Sequence, residues 1–142
     1  MDDSHYANDA SQPWPDAARC PFCQPQTLAK QVDEQGTVYA LADLNPVSEG
    51  HMLVITKRHV ADFFATTPEE QRDALVLLAR LRERLLASDP SIVGFNAGVN
   101  CGREAGQTVM HVHIHLIPRR TGDTPDVRGG IRGVIPQKTS WP

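Results

Sequence analysis

No apolar run in this 142-residue chain approaches the roughly 18 residues that a membrane helix needs, so no segment reads as membrane-spanning. Neither sign of charge predominates. Lys and Arg number 14 against 17 Asp and Glu, leaving a formal charge of −3, which argues against a broad basic surface for nucleic acid and against a polybasic membrane anchor. A small local phosphate site stays open on that balance. Cysteine is scarce as well: three is an odd number, and a domain of this length buries enough surface to fold without a disulfide framework. The acidic, polar start Met1-Asp2-Asp3-Ser4-His5 lacks the pattern of a secretory signal, which makes a cytoplasmic location the default expectation. Internal repeats and low-complexity tracts are absent. What is present, 40% hydrophobic and 22% charged residues, is the composition of one globular domain.

Residues 1–18 are polar and carry Pro13 and Pro15; they read as a loosely held tail in which Trp14 offers one docking point. The run 37–44 reads as a strand, 45–50 as a turn and 51–56 as a second strand, which predicts an antiparallel pair. A helix is predicted over 68–88. Thr67 caps it, Pro68 suits its first position, and Glu70 completes a capping box. Ala74, Leu78, Leu81 and Leu85 share one face, widened by Leu75 and Leu77, while the arginines between them read as solvated. Residues 92–96 predict another strand, 98–106 a glycine-rich loop, and 108–117 a strand closed by Pro118. The tail from Thr121 has little apolar periodicity. Strands outnumber helices and pair with near neighbours, so the predicted class is α+β: an antiparallel sheet of about five strands, one long helix and one or two short ones.

Half of the six histidines fall in His111-Val112-His113-Ile114-His115. On a strand, Val112, Ile114 and Leu116 face one side and the three imidazoles the other. Adjacent imidazoles repel when protonated, so their pKa values should be lowered and coupled. Two chemistries fit. Imidazoles on one strand face can converge on a metal; alternatively one is a nucleophile while its neighbours hold a phosphate. The preceding loop Gly98-Val-Asn100-Cys-Gly102-Arg-Glu-Ala-Gly106-Gln107-Thr108 favours the second, because it supplies backbone N–H groups, an amide and a hydroxyl of the kind that hold phosphate. Cys20-Pro-Phe-Cys23 reads as a metal or redox pair, and Cys101 as a small loop residue.

Ala105-Gly-Gln-Thr-Val-Met-His-Val-His-Ile-His-Leu-Ile-Pro-Arg119, an alternating His-x-His-x-His with a Gly-Gln-Thr lead-in, resembles the signature of the histidine triad (HIT) family of nucleotidyl hydrolases and transferases. The stretch from Asp43 through His51 to His59 is similar to that family's earlier signature, and Cys20 and Cys23 resemble the cysteine pair of its zinc-containing bacterial members. The likeness runs from about Cys20 to Arg119, which implies a HIT domain over 19–121 with a further tail over 122–142. Between Cys23 and His51 the chain is shorter than is usual in the family.

The resemblance implies that His113 is the nucleophile, attacking the α-phosphorus of a nucleotide to form a nucleotidyl-histidine that water then hydrolyses. It implies that the His111 carbonyl orients His113, that His115 and His51 hold the phosphate oxygens, and that Asn100, Gln107 and Thr108 contact the phosphate or leaving group. Asp43 would bind the ribose, and Phe22, Leu44 and Leu53 the base of a purine nucleotide. Cys20, Cys23, His59 and His111 would hold a structural zinc, with no metal required for the chemistry. A homodimer is implied too, with no nucleic-acid or membrane partner. The tail residues Arg128 and Arg132 could reach a polyphosphate, although a solvated tail is the simpler reading. The activity implied is hydrolysis at the α-phosphate of substituted nucleotides, of the adenosine phosphoramidate or diadenosine polyphosphate type. The alternatives are a nucleotide-binding or interaction module with little turnover, a dinucleoside polyphosphate phosphorylase, and a hydrolytic zinc enzyme using the triad as ligands.

Overall fold

Helix α2 (Pro68–Ser88) has the boundaries that the sequence marks, and a computed structural model, which describes residues 16–141, shows why they hold. Thr67 Oγ1 accepts from the Glu70 N–H at 3.1 Å while the Glu70 carboxylate accepts from the Thr67 N–H at 2.9 Å, so two of the helix's orphan donors are satisfied at once. Glu70 is buried, and its second task explains that: it also pairs with the Arg58 guanidinium at 2.7 Å. Ala74, Leu77 and Leu81 are buried against Val38, Ala40, Val54 and Leu116, with Leu78 and Leu85 at the margin. Leu75 does not widen this face. It lies beyond the buried arc of the helix and is exposed.

The sheet beneath α2 has five strands, β1 (Asp33–Gln35), β2 (Val38–Ala42), β3 (Met52–Thr56), β4 (Ile92–Val99) and β5 (His113–Arg120). Their order is β1-β2-β3-β5-β4, and every pair is antiparallel. The predicted α+β class, its count of about five strands and the 37–56 strand pair are therefore present, and two elements lie where the sequence reading marks none. A short helix α1 (Pro25–Leu28) and strand β1 occupy a stretch whose few apolar residues carry no clear period.

Strand boundaries differ in the second half of the chain. β4 runs on through Gly98 and Val99, which sequence reading assigns to the loop. β5 begins at His113 rather than Thr108 and continues through Pro118 to Arg120. Proline is tolerated because β3 has already stopped pairing at Leu116. The Pro118 carbonyl accepts from the Ser48 hydroxyl at 2.6 Å, so its nitrogen faces the same way and removes no rung from the β4 side.

One sheet face is closed by α2. On the other, Tyr39, Leu41, Leu53 and Ile55 form a second buried cluster against Phe22. The register aligns Leu41, Leu53, His115 and Gly98 in one row across β2, β3, β5 and β4. Residues 1–15 of the expected N-terminal tail, Trp14 among them, lie outside the described residues. The C-terminal tail forms 3-10 turns at Gly130–Val134 and Pro136–Lys138.

Candidate active site

Gly50 adopts φ of +91° and passes within 3.1 Å of Leu85 and 3.3 Å of Pro118 at the place a Cβ would occupy, so the turn can deliver His51 to the start of β3 only with glycine there. The ring of His51 is then fixed from both ends. Its Nδ1 accepts from the Val47 N–H at 3.1 Å, which puts the proton on Nε2. That Nε2–H lies 2.9 Å from Nδ1 of His115, so His115 in turn carries its proton on Nε2. A backbone amide thus sets the tautomer of two imidazoles in series. Asp43 stands beside them, one carboxylate oxygen 3.4 Å from His51 Nε2 and the other accepting from the Asn45 N–H.

His113 is set by a separate contact. Its Nδ1–H donates to the His111 carbonyl at 2.8 Å, leaving the Nε2 lone pair free. Phe22 meets its ring edge-on at 5.2 Å, and the Phe22 carbonyl is tied to β2 by the Tyr39 hydroxyl at 2.6 Å. Burial lowers the pKa of His113 and His51. His115 is pushed down to about 4 by burial and then by the neighbouring His113 and His51. All three imidazoles are therefore neutral near pH 7, one with an exposed lone pair and one with an outward N–H.

His111 departs from the alternation expected of it. It precedes β5, and its ring turns away from His113 and His115 into a different cluster. There Nε2–H donates to the Thr56 carbonyl at 2.6 Å, so Nδ1 is bare. Cys20 Sγ lies 3.4 Å from that nitrogen, Cys23 Sγ 3.5 Å and His59 Nδ1 3.2 Å. Ligands at zinc bond lengths in a tetrahedron stand about 3.3–3.8 Å apart, so two sulfurs and two ring nitrogens at this spacing fit that metal. The four come from Cys20 and the 3-10 turn it precedes at Pro21–Cys23, the segment after β3 and the lead into β5. Arg58, locked on Glu70, holds the middle one of these in place.

A cavity of about 340 Å³ opens over His113 and His115. Leu53 and Leu41 form its floor, and Phe22, Asp43, Leu44 and Thr108 line it. Several predicted site residues have other roles or partial ones. Gln107 is not free to touch a phosphate: its amide donates to the Ala61 and Val109 carbonyls and its oxygen accepts from Gly102 N–H, so it shapes the loop instead. Asn100 does not line the cavity, because Gly98 and Val99 continue β4 and carry it past the pocket. Leu44 sits at the rim, 61% exposed, rather than in an apolar slot. Arg128 and Arg132 do not line it either; Arg132 stacks over Trp141 and bonds the Lys138 carbonyl. Cys101 is half-buried and outside the Cys20, Cys23, His59 and His111 cluster. Sequence reading missed Gln26, Thr27, Lys30 and Asn45 on the cavity wall. The 4-residue spacing of Gln26 and Lys30 beside Phe22 was the signal available.

The HIT domain model matches residues 24–122. A HIT-like protein of Mycobacterium tuberculosis is 36% identical over 115 residues, covering 79% of each chain. A zinc-bound histidine triad protein of Mycobacterium smegmatis is 31% identical, with a TM-score of 0.67 over 78% of this chain and 86% of that one. An asymmetrical bis(5′-nucleosyl)-tetraphosphatase of Schizosaccharomyces pombe is 37% identical over 87 residues, 59% of this chain and 46% of that protein.

Proposed function

Because the chain belongs to the HIT domain family, we propose that it is a nucleotidyl hydrolase acting at the α-phosphate of substituted purine nucleotides through a nucleotidyl-histidine. The observation that carries this reading is the pairing of opposite tautomers over one cavity: a bare Nε2 on His113 beside a protonated Nε2 on His115. A nucleophile needs the first, and a developing phosphate charge needs the second.

The nucleoside lies over Leu53 and Leu41, with Phe22 and Leu44 at its sides and the ribose hydroxyls against Asp43. His113 Nε2 attacks the α-phosphorus. A P–N bond forms as the bond to the leaving group breaks, and the departing electron pair is neutralised by a proton from solvent. His113 keeps its Nδ1 proton on the His111 carbonyl throughout, which spreads the positive charge that its ring acquires. Water then cleaves the P–N bond, releasing the nucleoside monophosphate and restoring the imidazole. The His115 N–H and Thr108 hold the phosphoryl oxygens, while Gln107 holds the loop that presents Thr108.

Zinc is the metal we assign to Cys20, Cys23, His59 and His111, in a structural role. Two thiolates and two imidazoles would fill a tetrahedral shell and leave no position for substrate. A homodimer in the cytoplasm is part of the same proposal. The test is nucleoside monophosphate release from adenosine phosphoramidate and from diadenosine tetraphosphate by the native protein and by His113→Asn. Hydrolysis that falls at least about a thousandfold in the variant, which still binds AMP, is the expected result. A folded native protein that binds AMP but cleaves neither substrate would move the assignment to a binding module. Phosphate-dependent release of ADP would make it a phosphorylase.

A further inference from the structure

The cavity continues beyond the groups that the proposed chemistry uses. Successive strands lie about 4.8 Å apart, so the row His115, Leu53, Leu41 carries its floor two strand spacings away from the imidazoles. At that end, where the Val32 N–H bonds the Ala40 carbonyl of β2 just after Lys30 in the chain, the wall changes character. Helix α1 and the residues just after it contribute Gln26, Thr27 and Lys30.

Lys30 differs from most cations near the sheet. Lys57 is paired with Glu34, Arg58 with Glu70, Arg80 and Arg84 with Asp33, and Arg120 with Asp89. Among the described residues, the Lys30 ammonium and the Gln26 amide have no hydrogen bond or ion pair. A cation left without an acid on the lip of an apolar slot is free to meet an acceptor carried by the occupant. The reactive end already has its own donor in His115, so the acceptor that Lys30 meets belongs to the far end of the nucleotide.

An ammonium is a donor only. Guanine and hypoxanthine present two adjacent acceptors, N7 and O6, along one edge, whereas adenine puts the N6 amino group, a donor, beside N7. We propose that Lys30 reads this edge and makes the site selective for 6-oxopurine nucleotides over adenine nucleotides. The inference rests on the nucleotide placement given under the proposed function. It adds the base preference, which neither the imidazoles nor the apolar floor can supply: Leu41, Leu53 and Phe22 offer every purine the same surface.

The experiment is calorimetric binding of GMP, IMP and AMP to the full chain and to Lys30→Met, with hydrolysis of guanosine and adenosine phosphoramidates measured alongside. GMP and IMP bind about tenfold more tightly than AMP to the native protein, and the ratio collapses to within about twofold in Lys30→Met. Lys30→Arg, which keeps the donors, retains part of the preference and guards against a loss caused by repacking of α1. AMP binding as tightly as GMP overturns the proposal, as does a ratio that Lys30→Met leaves intact. Equal weakening of all three ligands also overturns it, since Lys30 would then act on phosphate charge. IMP behaving like AMP overturns it too, by pointing to the 2-amino group. Selective binding without hydrolysis leaves the base reading standing and removes the hydrolase. Hydrolysis without selectivity does the reverse.

Discussion

Two histidine pairs stand at either end of the same short segment and are built almost alike. His59 and His111 bring ring nitrogens to 3.2 Å, and His51 and His115 to 2.9 Å. What completes each pair separates them. The first is closed by Cys20 and Cys23, and its His111 is fully buried with one nitrogen spent on a carbonyl. The second is flanked by a carboxylate and faces a cavity, with an N–H left to donate. The difference between the cluster proposed as structural and the one proposed as catalytic therefore lies in the third and fourth neighbours and in the backbone group that fixes the tautomer.

That contrast breaks cleanly if the two ends are perturbed separately. His113→Asn should cut turnover at least about a thousandfold, equivalent to about 4 kcal/mol of barrier, with little change in melting temperature. Parallel kinetics and thermal unfolding check it. Cys20→Ser should do the opposite. Bound zinc falls in metal analysis, stability drops by roughly 3 kcal/mol or more, and activity declines only as the fold is lost. A chelator should reproduce that loss in the native protein and add nothing to it in the variant.

Acid sharpens the comparison at the open end. His115 titrates at about 4 in the fold and near ~6.5 when unfolded, so between these values the unfolded chain binds more protons. Stability is complete above about pH 6.5 and is lost as the pH falls toward 4, by roughly 3 kcal/mol. His51, also lowered by burial, acts in the same direction. Melting temperatures across this window should slope downward with acid, and His115→Gln should flatten the slope. The smallest effect belongs to Glu70→Ala, about 2 kcal/mol, because it removes one half of the capping box and leaves Arg58 without its partner. Chemical denaturation measures it, and zinc affinity should weaken with it through His59.

Much of this was legible from local pattern. Thr67, Pro68 and Glu70 mark the start of α2 because capping is a short-range interaction, and the alternation through Ile114 and Leu116 marks β5 because burial on one face has period two. Two departures involve partners distant in the chain. His111 leaves the strand face because Thr56, 55 residues away, takes its Nε2–H. Gln107 is diverted from the pocket by the Ala61 carbonyl. β1 is three residues long and is held by pairing with β2, a contact that composition does not announce. The Cys20, Cys23, His59 and His111 set came from resemblance; geometry now places its four donor atoms within 4.8 Å of one another.

The Val47 amide at the head of the His51–His115 series has a further consequence. A main-chain amide is far too weak an acid to pass its proton to an imidazole, so the first seat of the series stays occupied while this bond persists. A hydrogen cannot hop along it from the cavity toward the exposed 45–50 turn, as it could along a chain ending in water or a hydroxyl. His51 and His115 are therefore a compass rather than a wire: they keep one N–H pointed outward and conduct nothing.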